Sequence, residues 1–262
     1  MQPALFISHG APDLAITPSA VRDFLVRFGK ENPQPDAIII VSAHYETRTP
    51  KIGAAAQPAT LHDFGGFQPE LYRMTYPATG APQLAQQVLE AFKAHGISAS
   101  LDFERGLDHG IWTPLILAFP EGDVPVVPVS VQPEEDAEHH YRLGRALAPF
   151  RAQNVLVAGS GHITHNLRAM FRAMRGGGTD PETEMAIDAF TRWVGERLLA
   201  GDREGLLRWR EDAPFALENH PTPEHFLPLF SAYGAGGEKP DAELIHSSKL
   251  HGAFNSDFWM FR

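Results

Sequence analysis

Thirteen histidines and no cysteine in 262 residues mean that any metal chemistry here runs through nitrogen and oxygen ligands. Disulfides, iron–sulfur clusters and thiolate zinc sites are excluded. Neutral imidazole binds metal and titrates near neutral pH, so a cluster of such side chains can hold an ion and move protons. Their placement along the chain is therefore informative. His9 closes Phe6-Ile7-Ser8-His9-Gly10, and His44 closes Val41-Ser42-Ala43-His44-Tyr45-Glu46. His162 and His165 follow the run Val155–Ala158, and His109 stands on the connection after a candidate short strand at Ser98–Asp102. One histidine at a strand end is more often a hydrogen-bonded loop residue than a ligand. Several on one rim are harder to dismiss, because ligands of open α/β sheets bind beyond the carboxyl ends of strands.

His225 follows no strand. In His220-Pro221-Thr222-Pro223-Glu224-His225-Phe226, the pattern predicts Thr222 as an N-cap, Pro223 at the first helical position and His225 in the first turn of a helix. The helix dipole would there favour the neutral imidazole that a metal requires. A histidine that merely caps its own helix fits the same residues equally well.

The elements that must position these side chains read as an alternation. Apolar, β-branched runs predict strands at Ala4–Ser8, Ala37–Ser42, Val124–Val131 and Val155–Gly159, with a weaker last strand in Gly252–Phe258. Helical spacing occupies Pro18–Lys30, Ala81–Ala94, Ala137–Phe150 and Glu182–Ala200, and more weakly Asp202–Arg210. This predicts an α/β fold, a central mixed sheet with helices packed on both faces and the active site at the carboxyl ends of the strands. The Gly- and Pro-rich pieces at Arg175–Pro181 and Gly234–Pro240 are only loop-sized, so residues 1–262 read as a single domain.

A net charge of -10 argues against nucleic-acid and anionic-membrane partners, which need clustered Lys and Arg, and favours small-molecule chemistry. No apolar stretch approaches the roughly 20 residues that span a bilayer. Ala4–Ile7 is too short for a signal-peptide core, so a cytoplasmic location is expected. Oligomeric state is not legible. His139 and His140, beside Glu134, Glu135 and Glu138, read as a solvated helix face. His246 and His251, flanking Ser247-Ser248-Lys249, read as a polar loop. Asp63-Phe64-Gly65 matches the kinase magnesium motif in letters alone, since no catalytic or phosphate loop accompanies it.

Six stretches, in order along nearly the whole chain, resemble the class III extradiol ring-cleavage dioxygenases of the LigB-like superfamily, and more closely the DOPA 4,5-dioxygenase branch. They are Ser8-His9-Gly10-Ala11-Pro12, Ser42-Ala43-His44-Tyr45-Glu46, His62-Asp63-Phe64-Gly65-Gly66-Phe67, Asp108-His109-Gly110-Ile111-Trp112, Ser160-Gly161-His162-Ile163-Thr164-His165-Asn166-Leu167 and Pro221-Thr222-Pro223-Glu224-His225. The resemblance implies that His9, His44 and His225 bind one divalent metal. Iron(II) is expected for activity, and such a site would also take up zinc. It implies His165 as catalytic base and His109 as a second acid/base or positioning group, with His162 a supporting loop residue. In the wider superfamily the third ligand is commonly a glutamate; His225 stands there as in the DOPA branch. The implied reaction opens a catechol-type ring with O2, and a base near the unperturbed imidazole pKa of about 6.5 would deprotonate the substrate. The Asp63–Phe67 loop either closes over an aromatic ring or is an ordinary turn. Two other readings of the histidine set are a zinc-dependent hydrolase and a non-enzymatic binding protein of the Memo type on the same fold.

Overall fold

Where strands are buried on both faces, their sequences run apolar without interruption, and these runs form the middle of the sheet. A computed structural model describes residues 1–172, 175, 179–250 and 254–262. Its strands are β1 (Ala4–Ser8), β2 (Ala37–Glu46), β3 (Lys51–Gly53), β4 (Ser100–Asp102), β5 (Val126–Val131), β6 (Val155–Gly161), β7 (Ala242–His246), β8 (Lys249–Leu250), β9 (Phe254–Asn255) and β10 (Phe258–Phe261). Eight of them form one sheet in the order β4-β3-β5-β2-β6-β1-β10-β7, while β8 and β9 pair separately. The central four, β5, β2, β6 and β1, are parallel. β3 joins β5 antiparallel, and β10 adds antiparallel to β1, so the sheet is mixed. Part of the expected Gly252–Phe258 strand and all of His251 lie outside the described residues; the last strand of the chain is β10, which lies between β1 and the edge strand β7.

The helices are α1 (Ala20–Glu31), α2 (Pro82–Ala94), α3 (His109–Ala118), α4 (Ala137–Leu147), α5 (Leu167–Arg172), α6 (Pro181–Ala200), α7 (Arg203–Leu207), α8 (Trp209–Asp212), α9 (Ala216–Asn219) and α10 (Leu227–Ala235). Alternate side chains of the central strands feed two cores. Phe6, Ile39 and Val41 meet α2, α4, α6 and α10 on one face. Leu5, Ile7, Ile38 and Ile40 meet α1 and α3 on the other. Among the described residues no helix is long and apolar enough to cross a membrane.

Two expectations change. His140 does not lie on a solvated face: it is fully buried, its Nε2 accepts from the Gln132 backbone N–H at 3.1 Å and its Nδ1 donates to the Asp136 carbonyl at 2.8 Å. The second is α3, where a connection was expected; all but one of its residues are buried, so no polar face marks its period.

Candidate active site

The histidine cluster lies where β1, β2 and β6 end. His9 follows β1 directly, and its N–H donates to the Gly161 carbonyl at 3.2 Å. His44 sits within β2, which continues past its predicted end. β2 pairs with β5 in register to Ser42, then shifts so that Glu46 faces Val131, and the irregularity re-aims Ala43 to Tyr45. The His44 N–H donates to Ser42 Oγ at 3.2 Å, and Ser42 in turn donates to buried Asp108 at 2.7 Å. Arg105, ion-paired with Asp108, also donates to the His44 carbonyl at 3.2 Å.

His225 lies in the turn before α10 rather than in a helical first turn. The Phe226 and Leu227 N–H groups both return to Pro223 O, and the helix proper begins at Leu227 with Pro228 in its first turn. Glu224 accepts from Thr222 Oγ1 at 3.1 Å and from His225 Nδ1 at 2.8 Å. The turn is strapped to the loop after β6: the His162 N–H donates to His225 O at 2.8 Å, and the His165 N–H to Asn219 O at 2.9 Å. Gly161 permits this approach, since a Cβ there would sit 2.1 Å from the His225 carbonyl oxygen.

The result is convergence. Nε2 of His9 and Nε2 of His44 are 3.1 Å apart, and those of His44 and His225 are 3.3 Å apart. The remaining ring nitrogens fix the tautomers. Ser160 spends its single proton on the Gly110 carbonyl, so its oxygen accepts from His9 Nδ1–H at 2.9 Å. Glu224 can only accept, so His225 carries its proton on Nδ1 as well. His44 Nδ1 faces Asp63 Oδ2 at 3.6 Å, too long for a hydrogen bond but favouring the same tautomer. Lone pairs therefore face one another across the centre, an arrangement that calls for a cation between them. Two nitrogens each about 2.0–2.1 Å from a common ion would be about 2.9 Å apart at a right angle and about 3.3 Å apart at the tetrahedral angle. The observed separations fit, and these three side chains could hold a metal ion. Two overlapping sets, His44 with Asp63 and His109, and His165 with Glu224 and His225, have the same capacity.

Burial, and after it the mutual repulsion of neighbouring imidazolium charges, holds His9, His165 and His225 well below the usual imidazole range. His44 is pushed down to about 3 by burial and by His109, with Asp63 opposing. The sequence-based expectation of a base near 6.5 therefore does not describe His165, which is neutral at physiological pH. Its ring stacks on His225 at 3.4 Å between centroids, with Nδ1 3.9 Å from Glu224 Oε1. His109 opens α3 and rests on the His44 ring at 3.9 Å. Its N–H and Nδ1 both donate to Asp63 Oδ1, at 2.9 and 3.0 Å. Burial works to raise the Asp63 pKa, but these bonds outweigh it and hold the carboxyl at about 2.

Asp63, Glu224 and Ser160 are residues to which the sequence reading gave no role at the histidines; a carboxylate beside a histidine motif was the available signal, and it sat unused in Asp63 and Glu224. His162 lies beside His9, centroids 4.6 Å apart, within the same cluster. A cavity of about 350 Å³ opens onto the cluster, lined also by Phe64, Gly65 and Phe67 of the Asp63–Phe67 loop. Trp112 is core, its Nε1 donating to Leu61 O at 3.0 Å. His246 is away from the cluster, stacked on Phe24 at 4.6 Å.

Comparison with known proteins follows the same line. The model of the catalytic LigB subunit of aromatic ring-opening dioxygenase matches residues 21–258. Proteins named 4,5-DOPA dioxygenase extradiol are similar to this chain: that of Beta vulgaris is 40% identical over 250 residues, covering 93% of this chain and 90% of its own. That of Escherichia coli K12 is 35% identical over 244 residues, covering 91% and 87%. The crystal structure of an uncharacterized Escherichia coli K12 protein superposes with a TM-score of 0.81 at 28% identity, covering 99% of both chains.

Proposed function

Because the chain belongs to the family of LigB catalytic subunits of aromatic ring-opening dioxygenases, we propose that it cleaves a catechol beside one hydroxyl, using one iron(II) held by His9, His44 and His225. The observation that carries this reading is the set of Nε2 lone pairs 3.1 and 3.3 Å apart, with the His9 and His225 rings held in that tautomer by hydrogen bonds from behind. Family membership makes an aromatic substrate and O2 the reactants and displaces the hydrolase and non-enzymatic readings. We assign residues 1–262 to one catalytic domain, working in the cytoplasm.

When bound, the ion supplies a +2 charge and open coordination positions, so that both catechol oxygens and O2 can be gathered at one centre. The residues around it handle protons. Neutral His165 has a lone pair to accept a hydroxyl proton from the substrate. His109 lines the cavity with Nδ1–H committed to Asp63, which leaves Nε2 as the ring nitrogen available to a substrate oxygen. Zinc fits the same nitrogen set, so zinc found on purification says little about the working ion.

The test is anaerobic loading with iron(II) followed by O2 uptake with a panel of catechols. His165→Ala is expected to keep a full complement of metal and lose about 10²–10⁴-fold in turnover. Near-normal turnover in that variant would remove His165 from the role of base.

A further inference from the structure

α3 begins without a side-chain cap from its own N-cap residue. The carboxylate of Asp108, at that position, accepts instead from Ser42 Oγ at 2.7 Å and pairs with Arg105. The first N–H of α3 goes to Asp63, 46 positions earlier: Oδ1 accepts from the His109 backbone N–H at 2.9 Å and from His109 Nδ1–H at 3.0 Å. Backbone and ring of one residue held by one oxygen fix the place of His109 as well as its tautomer. The other oxygen, Oδ2, lies 3.6 Å from His44 Nδ1, and no other acceptor reaches that nitrogen among the described residues.

The segment that carries Asp63 is held on both sides of it. Before it, His62 Nε2 donates to Met74 O at 3.0 Å. After it, Phe64 stands edge-on to His109 at 5.8 Å between centroids, and meets Trp112 of α3 at 6.2 Å and Phe67 at 5.5 Å. One carboxylate thus joins the wall of the cavity, the start of the helix that presents His109, and the back of His44.

We infer that Asp63 is a positioning residue that needs both carboxylate oxygens, one to set His109 against the substrate and the other to keep the proton of His44 on Nδ1, away from the ion. The inference rests on the metal site and function proposed above. It separates Asp63 from Glu224, where Thr222 Oγ1 and His225 Nδ1 reach the same oxygen and an amide can stand in with smaller loss. In Asp63→Asn one side must fail, because an amide offers one acceptor oxygen and one donor group. Two donors at hydrogen-bond distance outweigh one at 3.6 Å, so the amide oxygen settles on His109 and the NH2 meets His44 Nδ1–H, donor against donor.

Nitrogen-15 NMR of the zinc-loaded protein and zinc affinity by chelator competition read the two sides apart. Wild type is expected to carry the His109 proton on Nδ1. Asp63→Asn should keep that signature and bind zinc about 10–100-fold more weakly. Asp63→Ala should weaken zinc binding similarly and lose the signature too, the His109 proton spreading over both ring nitrogens, with kcat of the iron(II) form down about 10²-fold at saturating metal. A His109 proton on Nε2 in wild type, or wild-type zinc affinity in Asp63→Asn, would overturn the inference; the first is read on the unmutated chain, so a variant that fails to fold leaves the test intact. Oxygen uptake reports on the other reading: the expected spectra and affinities with no O2 consumption on any catechol sink the dioxygenase function and leave Asp63 in this role. Uptake by a protein whose His109 carries its proton on Nε2 does the reverse.

Discussion

Glu224 offers the sharpest perturbation, because one carboxylate oxygen holds the His225 tautomer. Its Oε1 accepts from His225 Nδ1 at 2.8 Å and from Thr222 Oγ1 at 3.1 Å, and no other acceptor to His225 Nδ1 is present among the described residues. Glu224→Ala leaves a buried imidazole N–H without a partner, which costs about 1–3 kcal/mol of apoprotein stability. It also frees the ring to move its proton to Nε2, the nitrogen that faces His44. Loss of such an outer partner typically weakens a metal site about 10–100-fold. Glu224→Gln keeps an acceptor oxygen and loses only the charge, so it is expected near the lower end of that range with little loss of stability. Competition between apoprotein and a chelator of known affinity, read beside thermal melts of the apo forms, separates the two contributions. Wild-type metal affinity in a folded Glu224→Ala variant would refute the idea that a buried carboxylate sets which nitrogen looks inward.

Gly161→Ala should destabilise the protein by about 1–3 kcal/mol and weaken metal binding with it, since the new methyl would meet the His225 carbonyl at 2.1 Å; unchanged melting and metal content would show that the turn is not held by this approach. Away from the site, burial pushes the Asp257 carboxyl up to about 6, with Ser247 and Asn255 pulling the other way. Its folded-state pKa lies above the ordinary carboxylate value, so the folded form holds the extra proton between about pH 4 and 6. The associated stability, up to about 3 kcal/mol, is present at low pH and lost as pH rises through 6. Asp257→Asn should therefore melt higher than wild type at pH 8 and show a shallower stability profile over that window; an equal or lower melting temperature there would contradict the assignment.

Much of this architecture is legible from residue order because the central strands are buried on both faces. Ile38–Val41 and Val155–Ala158 read as strands without any partner in view, and His44 and His165 could be placed after them. α3 escaped for the converse reason: nearly every side chain on it is buried, and Pro114 interrupts the reading, so no period of 3.6 survives, whereas the helix at α10 was expected but with its start placed too early. The extension of β2 to Glu46 depends on a register shift against β5, which no local pattern encodes. The His225 turn misled for a related reason, since Thr222-Pro223-Glu224 has capping letters but its oxygens serve Glu224 and His225 rather than a helix start. Asp63 and Ser160 act on histidines 46 and 151 positions away, a distance at which sequence spacing carries no information.

The central claim is that nitrogens from β1, the shifted end of β2 and the turn before α10 hold one ion. Anomalous diffraction from crystals of the iron(II)-loaded protein tests it directly. The account predicts a single strong peak about 2.0–2.2 Å from Nε2 of each of His9, His44 and His225. A peak centred instead on His44, Asp63 and His109, or on His165 and Glu224, would contradict it.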